Sequence, residues 1–169
     1  MMKFPNAVRS ALPATVLGVL ALSLASMPAA ASTQTATFLV STSVASTCTI
    51  STTPLSFGSY TGVLSQAMAS GTITCTNTTP YNVGLSAGLS TGATVTSRKM
   101  TGPAGALLAY SLFSDTGRTV NWGTTIGTDT VAMVATGLGQ TLTVYGQIPA
   151  GQYFAPGTYS DTITVTVTY

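Results

Sequence analysis

Apolar and polar residues alternate with a period of two along most of this chain, the pattern of strands that bury one face. Near the start, Ala36, Phe38, Val40, Thr42 and Val44 form a mostly apolar parity. Thr35, Thr37, Ser41 and Ser43 form the polar one, which Leu39 alone interrupts. At the far end Ile163, Val165, Val167 and Tyr169 alternate with Thr162, Thr164, Thr166 and Thr168. Between them the same spacing recurs at Cys48 and Ile50, Leu55 and Phe57, Ile73 and Cys75, and Tyr81, Val83 and Leu85. It returns at Leu108, Tyr110 and Leu112, after Met100, and at Leu142, Val144, Gly146 and Ile148, where Pro149 ends the run. Turn clusters such as Thr101-Gly102-Pro103 and Ala155-Pro156-Gly157 separate these segments. Many short strands at regular spacing predict an all-β sandwich. Helix formers are scarce, and the chain contains no Glu.

The first 31 residues read as a secretory leader. Lys3 and Arg9 give a basic start, Ala14 to Ala25 an apolar centre, and Ala29-Ala30-Ala31 a small-residue cleavage site. The apolar run ends at Met27-Pro28, short of the roughly 18 to 20 residues that a membrane span needs. After cleavage before Ser32, about 138 residues remain, enough for one domain with a real core. The expected boundaries are residues 1–31 for the leader, 32–45 for a leading strand and 46–169 for the sandwich. That leading strand has nothing before it to pair with, and the last has no successor. Together they predict a subunit that lends its first strand to the next copy, a form of β-augmentation.

Composition narrows the chemistry. In an oxidising compartment Cys48 and Cys75 are expected to form one disulfide, two buried free thiols being the alternative. Two sulfurs without a histidine cannot complete a zinc shell, so no metal site is expected. Beyond the leader the charged side chains are Arg98, Lys99, Arg118, Asp115, Asp129 and Asp161, which balance to zero. Nucleic acid is therefore not an expected partner, because phosphate binding needs clustered cations. A neutral surface also repels its own copies weakly.

Two matches to a hydrolase elbow occur, Gly84-Leu85-Ser86-Ala87-Gly88 and Gly88-Leu89-Ser90-Thr91-Gly92. Without a histidine base neither serine is activated, so no enzyme and no cofactor is expected. The three aspartates are expected to form turns, and Asp161, which falls on the apolar parity of the last strand, to bond turn amides at its rim. Trp122 and the seven tyrosines either fill the core or offer a sugar-binding platform, as in a monomeric carbohydrate-binding module.

An ordered set of stretches carries a resemblance: Cys48-Thr49-Ile50, Leu55-Ser56-Phe57-Gly58-Ser59-Tyr60, Gly71-Thr72-Ile73-Thr74-Cys75-Thr76 and Pro80-Tyr81-Asn82-Val83-Gly84-Leu85. It continues through Arg98-Lys99-Met100, Leu108-Ala109-Tyr110-Ser111-Leu112-Phe113, Trp122-Gly123, Val144-Tyr145-Gly146-Gln147-Ile148-Pro149, Gln152 and Gly157-Thr158-Tyr159-Ser160-Asp161-Thr162. In these the chain resembles the spore coat protein U domain family, shared by archaic, Csu-type chaperone-usher pilus subunits. Thr124 departs from the pattern, standing where Asp or Asn is common.

The resemblance implies an incomplete immunoglobulin-like β-sandwich that lacks its last strand and is completed by donor-strand complementation. A periplasmic chaperone would hold it until an outer-membrane usher joins it to neighbouring copies or related pilus subunits. On that basis Ala36, Phe38, Val40 and Val44 are the donor side chains, and Cys48 and Cys75 the disulfide. Leu142, Val144, Ile163, Val165 and Val167 belong to the acceptor groove. The implied product is a cell-surface fimbrium or extracellular fibre that supports attachment and biofilm formation; a secreted spore coat protein of the same family is the alternative.

Overall fold

The computed structural model describes residues 29–169. The leader expected at residues 1–31 lies, but for its last three residues, outside them. Contacts divide the chain into two units, Met1–Ser41 and Thr42–Tyr169. In the first, residues 29–41 form no helix or strand.

The second unit holds eight strands: β1 (Cys48–Thr52), β2 (Ser65–Cys75), β3 (Pro80–Leu85), β4 (Arg98–Thr101), β5 (Leu107–Phe113), β6 (Val131–Val134), β7 (Gln140–Ile148) and β8 (Val165–Thr168). They form a five-stranded sheet in the order β1-β2-β7-β5-β4 and a three-stranded sheet in the order β6-β3-β8. Every pairing is antiparallel. The expected all-β sandwich is the fold that the chain adopts. Its core draws on both sheets, with Ile73, Leu108, Tyr110, Leu112 and Ile148 from one and Tyr81, Val83 and Leu85 from the other.

Alternation explains β3, β5 and β7, where the expected inward residues are buried, or in the case of Leu142 and Val144 half-buried. Cys48 and Cys75 face each other in the β1–β2 register and are joined by a disulfide.

Four differences from the sequence reading have physical causes. The leading strand is not a strand here: Phe38 is 86% exposed, Val40 and Val44 are exposed too, and no ladder includes them. A strand is defined by its partner, and this segment has none among the described residues. Leu55 and Phe57 also lie outside any ladder, yet both pack on the core. They lie above Gly146 of β7, where a Cβ would come within 3.0 Å of either side chain. β2 begins at Ser65, well before the Ile73–Cys75 pair that signalled it, for it pairs with β7 from Ser65 onward while its inward Ala67, Ala69 and Gly71 are too small to mark an apolar parity. Finally, β6 is a short strand that alternation alone did not mark.

Candidate functional site

β1 ends the larger sheet and β8 ends the smaller one. Each therefore has one edge without a ladder partner among the described residues. Between the β1 side and the stretch leading into β8 lies a cleft of about 470 Å³. One wall comes from Ile50, Thr52, Thr53, Pro54, Leu55 and Phe57, the other from Tyr159 to Ile163 and Val165. Its floor is the core itself, reaching Ile73, Leu85, Leu112 and Trp122. The cleft is thus a slot into the sandwich, with apolar side chains below and strand edges that lack ladder partners at its sides. Such an opening exposes both hydrophobic surface and unpaired N–H and C=O groups, the combination that a strand can cover.

Four of the five expected groove residues line this cleft: Leu142 and Val144 from β7, Ile163 just before β8, and Val165 within it. Val167 packs against the core without lining the cleft. The sequence reading missed the floor and the β1 wall. Ile50 lies on the expected apolar parity of β1, yet it is exposed, because no described strand pairs with that edge.

The cleft has one ionisable carboxylate among its lining residues, Asp161, and it is occupied. Its Oδ1 accepts from the backbone N–H of Leu89 and of Thr162, both at 2.8 Å. Its Oδ2 accepts from the Tyr110 hydroxyl at 2.7 Å. The expected rim position bonded to amides is therefore what the structure has. Gly88, at φ +93°, gives the carboxylate its space, since any Cβ there would collide with it. Asp115 and Asp129 bond backbone amides likewise, of Thr119 and Val120 and of Thr125 respectively.

Arg98 opens β4 and is fully buried. It donates to the carbonyl oxygens of Ser86, Val95, Leu85 and Trp122. None of the four acceptors is a carboxylate. Two of them lie at the end of β3, where Ser86 N–H donates to Thr164 O, so the guanidinium braces the strand on which β8 is laid. Trp122, at 1% exposure, donates its indole N–H to Val83 O at 2.8 Å and fills the core, so it offers no sugar platform. The elbow serines make structural bonds. Ser86 Oγ accepts from the N–H of Gly88 and Thr164, and Ser90 Oγ donates to Lys99 O.

Known proteins resemble this chain in sequence and fold. A family model for the Spore Coat Protein U domain matches residues 34–166. Protein U of Myxococcus xanthus is 31% identical over 181 residues, covering 97% of this chain and 99% of that protein. A chain in the crystal structure of the CsuC–CsuE chaperone–tip adhesion subunit pre-assembly complex, from archaic chaperone-usher Csu pili of Acinetobacter baumannii, aligns with a TM-score of 0.57 at 26% identity. That alignment covers 75% of this chain and 40% of the other, so this chain spans about two fifths of its length. With a family match that runs from before the first strand into the last, the protein belongs to the Spore Coat Protein U domain family.

Proposed function

We propose that the protein is a structural subunit of a secreted surface fibre of the archaic chaperone-usher kind. In this reading residues 32–45 of one copy enter the cleft of the next as the strand it lacks. The observation that carries the proposal is the apolar slot between two strands that each terminate a sheet. The likeness to the Csu pilus assembly complex supports it.

The physical gain is twofold. Burying Ala36, Phe38, Val40 and Val44 contributes roughly 6 to 10 kcal/mol before the ordering of the segment is subtracted. Ladder hydrogen bonds along β8 and β1 add about 1 kcal/mol each. Before assembly the same slot is an aggregation hazard, and a periplasmic chaperone fits the need to cover it. An outer-membrane usher would then exchange chaperone for subunit. The product would be an extracellular fibre that supports attachment and biofilm formation, with no catalytic role for this chain.

Surface material run on a denaturing gel with and without boiling tests the proposal. A ladder of multimers that collapses on heating is expected, and a single band under both conditions refutes strand exchange. Deleting residues 32–45 should leave chaperone binding intact and stop fibre growth; continued elongation would reject the donor assignment. The end-to-end match to Protein U favours a second reading, a secreted coat component built by the same exchange. Localisation in cells that form spores separates the two: coat material appears only with the spore, whereas fibres appear on growing cells.

A further inference from the structure

The leading segment is joined to one wall of its own cleft through a few residues, and that closeness creates a competition. A segment on a short tether meets its own acceptor at an effective concentration of roughly millimolar, about a thousandfold above micromolar free subunits. Self-insertion would need one reversal of the chain between Val44 and Cys48, laying the preceding residues along the free edge of β1.

Two independent features oppose that reversal. Tight hairpin turns use Gly, Asn or Asp where the backbone takes positive φ. The stretch Val44-Ala45-Ser46-Thr47-Cys48 contains none of these, and none of its residues has positive φ. The same residues are also tied in line with β1. Thr76 N–H donates to Thr47 O at 2.9 Å, and Thr47 N–H donates to Thr76 Oγ1 at 3.1 Å. The Thr76 hydroxyl lies 3.2 Å from Ala45 O, and Thr79 Oγ1 lies 3.4 Å from Ser46 Oγ. These bonds carry the β1–β2 pairing past the disulfide, so the chain enters β1 straight and not from a turn.

We propose that this junction is built against self-insertion. Thr76 is a positioning residue that keeps the leading segment out of its own cleft and leaves it for a second copy. The inference rests on the strand-lending reading, and one experiment separates the two. A labelled peptide of residues 32–45 is titrated into the exported full chain, residues 32–169, held monomeric at nanomolar concentration, while hydrogen exchange reports on residues 36–44. The wild-type chain is expected to bind the peptide with those amides unprotected. The Ser46→Asn, Thr47→Gly, Thr76→Val variant supplies a turn and removes the tie. It should bind at least about a hundredfold more weakly and protect the same amides.

A wild-type chain that refuses the peptide with residues 36–44 protected has inserted its own strand. That overturns the inference and leaves the acceptor reading intact. Refusal with those amides unprotected means that the cleft takes no strand, and both readings fall. A folded variant that binds as tightly as wild type also overturns the inference. Should the variant fail to fold, the wild-type arm decides alone.

Discussion

Replacing Arg98 with Met tests what keeps an open-sided sandwich in shape. The guanidinium is 0% exposed, and burial pushes its pKa below the usual arginine value while Tyr110, Asp161 and Asp129 favour its charge. It donates at 2.9 Å to Ser86 O, 2.7 Å to Val95 O, 3.0 Å to Leu85 O and 2.6 Å to Trp122 O. Met fills much of the same space and supplies no donor. Four carbonyls, two buried and two partly buried, lose a charged donor at about 2 kcal/mol each, a gross loss of about 8 kcal/mol. Removing the buried charge returns about 4 kcal/mol of desolvation, so the net loss is about 4 kcal/mol. That is a large share of the roughly 5 to 15 kcal/mol that holds a domain folded. Urea unfolding of the monomeric full chain at fixed concentration measures it, and the midpoint should fall by about 2 M with unchanged slope. Arg98→Lys should lie between, because an ammonium has only three protons to share among the four carbonyls. A Met variant within about 1 kcal/mol of wild type would refute the reasoning, since the carbonyls would then have other donors.

Three further outcomes follow from the geometry. Cys48→Ser with Cys75→Ser should cost about 3 to 4 kcal/mol, measured by urea unfolding against the oxidised protein, because the bond closes a loop with a sequence separation of 27. Burial, and then the bond to Asp161, raise the Tyr110 pKa above its ordinary 10.0. The unfolded phenol ionises first, so this stabilisation is complete below about pH 10 and is lost progressively as pH rises above it. Tyr110→Phe should therefore flatten the decline in stability between about pH 9 and 11, and an unchanged slope would contradict it. Phe38→Ala in the assembled fibre removes about 3 kcal/mol of the proposed burial and should speed dissociation in denaturant about a hundredfold; an unchanged rate would exclude Phe38 from the cleft.

How far the sequence reveals this molecule depends on where contrast exists. β3, β5 and β7 were legible because apolar side chains recur at every second position; in β3 and β5 those positions are all buried, whereas in β7 full burial is confined to Gly146 and Ile148. The first part of β2 was not legible, since its inward residues are small while Met68 points outward at 63% exposure. Alternation at Leu55 and Phe57 mimicked a strand because side chains that pack on a sheet look the same in sequence whether or not their backbone joins it. Phe38 and Val40 carry the converse lesson: their pattern is that of a strand, but no ladder partner for it exists among the described residues. The candidate cleft was half legible. Its β7 and β8 residues lie on clear apolar parities, whereas the floor and the β1 wall depend on which strands end the sheets. Arg98 had no signal beyond the family resemblance, for its four acceptors are backbone carbonyls, which every sequence possesses.

The spending of nearly every ion on the backbone has a material consequence. Asp161, the one carboxylate in the cleft, is held by two amides and a phenol, and Arg98 is sealed among carbonyls. The side chains of residues 32–45 bring no charge to the cleft. Dissolved ions weaken attractions between charges that face water, and a joint of this composition offers them almost nothing to weaken. Threads assembled in the proposed way would hold as firmly in brine as in rainwater, and would give way to heat or detergent instead.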